Sequence, residues 1–320
     1  MYTSAKKSTI VRSAPRRVRL AFRAGELLAP RLAGRAANRI WFTLPRPMGE
    51  APLPDGGEPF TVTAQKSAVR GRVWGDGPVV YLVHGWGGLG SQLAAFVAPL
   101  TAAGFRVVLF DLPAHGSSDP GPAGPGRTHG VEMGRALDAV AARFGPAHTV
   151  VAHSLGATAT YLTLRHGWLG TGRLVLLAPM VDAGSLFGGF QRTLGFGPRT
   201  RRAFEREAHR FVGIGMEEFD LRRQAAHLDP VPTLVVHDRR DRQTPYADSA
   251  RLVAALPDAS CSAPRGSATA GSCRTRAWWP RPWRSSATTP RAPPPERERL
   301  SRSCGAGSTS ATTRPARPTA

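Results

Sequence analysis

The chain predicts an α/β fold built on a mostly parallel, doubly wound sheet, and three observations carry that prediction. Five short apolar runs, PVVYLVH (78–84), FRVVLFDL (105–112), HTVVAHS (148–154), RLVLLAP (173–179) and TLVVHD (233–238), are each followed by a turn marked by Gly or Pro. Continuous runs of this kind suit central strands buried on both faces. Helical stretches at 91–104, 131–145, 156–167 and 247–256 alternate with them. The string TVVAHSLGATA (149–159) then sets a serine where a buried strand passes into a helix.

Composition bounds the rest. The 320 residues are 41% hydrophobic, enough for a sizeable core. The formal charge of +21 is carried at the ends: residues 1–40 hold ten Lys/Arg against Glu26 alone, and residues 261–320 hold eleven Arg against Glu296 and Glu298. The middle is nearly neutral, so sequence-specific nucleic-acid binding is not implied. The basic ends suit at most weak contact with a membrane surface or a polyanion. Cys261, Cys273 and Cys304 form no CxxC pair and have no histidine near them in sequence, which argues against a zinc site and a disulfide framework. No apolar run reaches transmembrane length, and the N-terminus lacks the pattern of a secretory signal. A soluble, cytoplasmic protein without metal or other cofactor is expected.

The elements fall into three parts. Residues 1–45 form a basic amphipathic segment. Ser13 and Pro15 mark a helix start, and Val18, Ala21, Phe22, Gly25 and Leu28 recur on one face. The short stripe favours packing on the main domain over lying on an anionic membrane. Residues 46–258 form the α/β core. Its gap at about 181–230 is too long for a plain connection and is expected to be a cap over the sheet's C-terminal edge, where ligands bind in open α/β sheets. Residues 259–320 contain Leu300 but no Val, Ile, Phe, Met or Tyr. A disordered tail is expected there, with the sheet's last strand and helix absent.

Ser154 is the candidate nucleophile. Ala152 and Gly156, two residues either side, are small enough for a very tight turn. Such a turn lifts the hydroxyl above the sheet and aims the N–H of Leu155 at a developing oxyanion. The glycines of LVHGWGG (82–88) let the N–H of Trp86 act as a second donor.

In order along the chain, HGWGG, DLPAHGSSD (111–119), AHSLG and VVHDRRDRQTP (235–245) resemble the successive signatures of the α/β-hydrolase superfamily, especially small bacterial esterase-like members. The resemblance spans roughly residues 60–258. It implies a serine hydrolase acting on carboxylic esters or thioesters of a small-molecule acyl substrate, through an acyl-enzyme. It also assigns Asp241 the acid position, where a carboxylate orients a histidine. Asp238 stands where the family commonly has Gly. A Ser at the elbow, rather than an Asp, argues against a dehalogenase or an epoxide hydrolase; a perhydrolase or an acyltransferase would share the same residues. His153 is expected to point away from the site, and His84 and His115 to be hydrogen-bonded loop residues.

One partner is missing. The family's order is Ser, acid, then His, but the last histidine of this chain is His237, before Asp241. The absence has two explanations: a catalytically inactive relative serving as a binding module, or a C-terminal segment translated out of frame. The abrupt loss of aliphatic residues after Leu256 favours the second. Read from the third base of the Ala259 codon, the segment admits a strand-like run and a Gly-His loop whose histidine codon straddles Ala268 and Thr269. Trp278-Trp279-Pro280, with almost no codon freedom, becomes Val-Ala in that frame.

Overall fold

Eight strands form one sheet in the computed structural model, which describes residues 14–46, 49–241 and 243–262. In chain order they are β1 (Glu58–Ala64), β2 (Ser67–Trp74), β3 (Val79–Val83), β4 (Arg106–Phe110), β5 (Thr149–His153), β6 (Leu174–Leu177), β7 (Thr233–Val236) and β8 (Ala259–Ser262). Their spatial order is β1-β2-β4-β3-β5-β6-β7-β8. The pairs β1/β2 and β2/β4 are antiparallel and the rest parallel. The mostly parallel doubly wound sheet is therefore as the apolar runs predict. The strands β4 and β5 leave β3 on opposite sides, which opens a crevice beyond its C-terminal end.

The helices are α1 (Arg16–Leu28), α2 (Pro30–Trp41), α3 (Val97–Ala102), α4 (Gly130–Phe144), α5 (Leu155–Arg165), α6 (Ala183–Leu194), α7 (Pro198–Val212), α8 (Leu221–Ala225) and α9 (Tyr246–Ala255). Side chains alternate across each strand, so the runs must be apolar at every position to serve two layers. In β3, Tyr81 and Val83 pack with Met133 and Leu137 of α4 and Ala157 of α5. Val80 and Leu82 pack on the other face with Val97 and Leu100 of α3 and Leu93 of the 3-10 turn before it. These four of the five β3 side chains are fully buried, the aliphatic ones each worth about 1.5–3 kcal/mol in lost water contact.

The β1–β2 hairpin is not signalled by the sequence. Its two-residue turn, Gln65-Lys66 between the paired Ala64 and Ser67, has φ of 48° and 70°. That geometry ordinarily draws Asn-Gly, so Gln-Lys conceals it.

Before the sheet, α1 and α2 pack on the helices between β6 and β7. Val18, Phe22 and Gly25 turn inward on α1, Phe22 meeting Phe196 at a ring distance of 5.7 Å. The expected stripe is corrected at two positions: Ala21 is exposed, and Leu28, the last residue of α1, is 85% exposed where the chain turns into α2. Ser13, the expected helix start, lies outside the described residues. Contact with α7 is very close: a Cβ at Gly34 would fall 2.6 Å from the Cβ of Ala203. Trp41 at the end of α2 sits edge-on to Phe187 of α6 at 4.6 Å. An isolated bridge between Asp182 and Asp220 joins the two ends of the α6–α7 segment.

At the other edge the expectation of a missing last strand is corrected. Residues Ala259–Ser262 pair in parallel with Thr233–Val236. A parallel ladder is made by backbone groups, so four small side chains do not prevent it. The sheet thus reaches into the stretch read as tail. The expected absence of the last helix concerns residues outside those described, as do Cys273 and Cys304.

Candidate active site

The C-terminal ends of β3, β5 and β6 lie side by side, with Val83 opposite Ala152 and His153 opposite Leu177. The chain leaves β5 through Ser154, whose φ of 51° and ψ of −120° are a conformation L-residues rarely adopt. The strained residue is held by its backbone: its N–H donates to Leu177 O, and its C=O accepts from the N–H groups of Ala157 and Met180. Glycine is required on both sides. A Cβ at Gly156 would lie 2.4 Å from His84 O, and one at Gly85 would lie 2.9 Å from the Cβ of Ser154. The Ser154 hydroxyl makes no capping bond to the helix that follows.

The backbone amides of Leu155 and Trp86 are without an acceptor among the described residues. The Leu155 N–H begins α5 and has no intrahelical acceptor. Neither it nor the Trp86 N–H donates to any acceptor among the described residues.

The loop carrying Trp86 is braced by two histidines. His84 donates from Nδ1 to Gly85 O (2.8 Å) and accepts at Nε2 from the Leu112 N–H (2.9 Å). His115 donates from Nδ1 to Pro113 O (2.9 Å) and accepts at Nε2 from the Gly87 N–H (3.0 Å). Both rings are neutral in this arrangement. Burial, then repulsion from His115, pushes His84 down to about 3, and burial lowers His115. Asp111 ties the same loops together, accepting from the Gly90 N–H at Oδ1 and from the Ser117 N–H and hydroxyl at Oδ2. With every ring nitrogen engaged, neither His84 nor His115 has a lone pair for Ser154. These braces were not legible individually, although HG in one loop and PAHG in the next are the residues that make them.

Asp241 follows β7. Its Oδ1 accepts from the N–H groups of Gln243 (2.7 Å) and Thr244 (3.1 Å), which fixes the carboxylate. The side chain is 3% exposed, and its Oδ2 lies 3.8 Å from His237 Nε2. His237 itself is committed: Nε2 donates to Thr244 O (3.1 Å) and Nδ1 accepts from the Ser249 hydroxyl (2.7 Å). Asp238 also serves its own loop, accepting from the Arg240 N–H. His153 differs from the picture of a residue remote from the site. Its half-buried imidazole feels the charge of Asp241, although loss of water contact dominates and pushes it down to about 4. No hydrogen bond to it is found among the described residues.

No curated protein matches the chain. Among solved structures, the thioesterase domain from the curacin biosynthetic pathway is 16% identical, with a TM-score of 0.50 covering 66% of this chain and 93% of its own. An esterase from Rhodococcus sp. ECU1013 is 18% identical (TM-score 0.49; 64% and 89% covered). The monoacylglycerol lipase of Paleococcus ferrophilus is 23% identical (TM-score 0.47; 62% and 89% covered). At such identities the likeness concerns the fold alone. The alpha/beta hydrolase family model, by contrast, matches the sequence itself over residues 80–293. From within β3 onward, the turn at Ser154 and the loops beside it included, the protein belongs to the alpha/beta hydrolase family.

Proposed function

We propose that this protein is built as a serine hydrolase of carboxylic esters or thioesters, and that the chain as encoded turns over slowly. The observation that supports this most is Ser154 itself, at φ 51° with no capping bond to the helix it begins, together with Leu155 and Trp86 amides that have no acceptor among the described residues. In the reaction, Ser154 Oγ adds to the acyl carbonyl carbon and gives its proton to a base. The carbonyl oxygen takes the negative charge, and the N–H groups of Trp86 and Leu155 hold it, a pair worth about 3 kcal/mol per donor in the transition state. Collapse breaks the C–O or C–S bond, the leaving group takes the proton, and water then cleaves the acyl-serine by the same sequence. Asp241 is the acid that would orient the base, its Oδ1 anchored and its Oδ2 available. The segment 181–230 would select the acyl or alcohol group.

The base is the weak point. His84, His115 and His237 use both ring nitrogens within the protein, and burial holds the His153 imidazole down to about 4, which makes it a poor base. With solvent as proton acceptor, the donors and binding alone leave roughly 10³–10⁴ of acceleration over water. A fluorophosphonate probe tests the nucleophile on the full chain. Labelling is expected at Ser154, lost in Ser154→Ala and accelerated by added imidazole.

The same engagement of three imidazoles favours a second reading, an inactive hydrolase relative that binds a small molecule. Well-folded protein that never labels, with or without imidazole, would establish that reading in place of the first.

A further inference from the structure

α1 and α2 each have an outward apolar row in addition to the face they bury. On α1, Leu20, Ala24, Leu27 and Leu28 stand at i, i+4, i+7 and i+8, on the opposite side from Val18, Phe22 and Gly25. On α2, Leu32, Ala36 and Ile40 form a row at i, i+4 and i+8, beside the parallel row Arg31, Arg35 and Arg39. The leucines are 51%, 73%, 85% and 62% exposed and Ile40 45%. Among the described residues the only other exposed large hydrophobic is Leu53. Isolated exposed leucines need no explanation, but five gathered on two adjoining helices do.

Charge indicates what covers them. Arg16, Arg17 and Arg23 flank the outward row of α1. The one acid of the pair, Glu26, is turned inward and accepts from the N–H groups of Arg199 and Thr200 at the start of α7. α7, packed against α2, exposes Arg199, Arg202, Arg206 and Arg210. Glu207 of α7 pairs with Arg35 and Arg210, and Glu205 with Arg201, so arginines still outnumber acids along this border. Apolar rows bordered by an excess of guanidinium groups are the chemistry of a helix lying in a lipid interface, with arginine stems along the apolar boundary and heads among phosphates. A second copy of this face would set arginine against arginine. No helix of the described residues is long and apolar enough to cross a membrane.

We propose that the outward face of the α1–α2 pair docks on the surface of an anionic phospholipid bilayer. The leucines and Ile40 enter the headgroup boundary and the arginines bind lipid phosphates. The proposal stands whether or not Ser154 is active.

Cosedimentation of the full chain with phosphatidylcholine vesicles, with and without about one-third phosphatidylglycerol, tests it at about 0.1 M salt. Partition into the anionic vesicles is expected, weaker into neutral ones, and weaker at higher salt. Replacing Leu20, Leu27, Leu32 and Ile40 together by Ser should lower the anionic partition by about tenfold or more. Arg31→Glu with Arg39→Glu should remove the preference for anionic lipid. Unchanged urea midpoints identify both variants as folded, and a fall in partition counts only with that control met. Absence of partition by the parent chain overturns the proposal. So does partition that the apolar substitutions leave unchanged, which would assign it to charge alone, or a dimer in sedimentation velocity that those substitutions dissolve.

Discussion

A side-chain carbon at Gly156 would lie 2.4 Å from the carbonyl oxygen of His84. The helix after Ser154 and the end of β3 therefore touch through a missing Cβ. The three nearest atoms are all backbone of Val83 and His84, which cannot yield as a flexible side chain would. Gly156→Val should cost at least about 1–3 kcal/mol through overpacking, measured as a fall in the urea midpoint, and should slow probe labelling of Ser154.

Ser154 holds a conformation that costs about 1–3 kcal/mol for a residue with a Cβ. Glycine relieves it at the expense of about 0.4–1 kcal/mol of extra chain entropy in the unfolded state. Ser154→Gly is accordingly expected to be about 1 kcal/mol more stable than Ser154→Ala, although both are unreactive. Equal midpoints for the two variants would show that the strain is absent in solution.

Stability should depend on pH through two imidazoles, His84 buried and His153 half-buried. His84 and His153 are held down to about 3 and about 4, against 6.5 for the free side chain, chiefly by burial. Between those values the unfolded chain binds protons that the native protein does not, so stability rises with pH. Their contribution is complete above about pH 6.5 and is lost progressively as pH falls toward 3–4. Urea titrations at several pH values should show that slope. His84→Ala should lower stability by about 1–3 kcal/mol near neutrality, leaving the Leu112 N–H unpaired, and should flatten the slope.

Gly34 should be as intolerant as Gly156. A Cβ there meets Ala203 and the backbone N of Phe204 at 2.6 and 2.8 Å. Gly34→Val is expected to lift α2 from α7, exposing Trp41 and hastening proteolysis between α2 and β1, while labelling of Ser154 is retained. Proteolysis unchanged from the parent would mean that the two helices part readily from the rest already.

If the C-terminal segment is out of frame, re-encoding it from the third base of the Ala259 codon restores a histidine where the Ala268 and Thr269 codons meet. Deleting the histidine of such a triad costs on the order of 10⁶ in kcat. The re-encoded chain should therefore exceed the present one by at least about 10³-fold in hydrolysis of p-nitrophenyl acetate. Resequencing the gene from independent DNA is the direct check, and a confirmed frame through codon 260 removes the explanation.

The sequence by itself determined the parallel centre of the fold and the turn at Ser154. A strand buried on both faces must be apolar at every position, and a turn this tight must have small residues around it. Both demands are local, so they are visible in PVVYLVH and AHSLG without knowledge of their neighbours. The Gln65-Lys66 hairpin, the pairing of ASCS on the sheet edge and the helix containing Gly34 and Asn38 were decided only by tertiary structure, because backbone pairing and close helix contact leave little mark on residue type. So were the partners of the histidines, although the sequence alone already marked His84 and His115 as hydrogen-bonded loop residues. His84, His115 and His237 are alike in sequence, but each is neutral and occupied because of groups far along the chain: a Leu112 amide, a Gly87 amide, a Ser249 hydroxyl. Whether an imidazole is a base or a brace depends on what meets its two nitrogens, and only the folded chain brings those partners together.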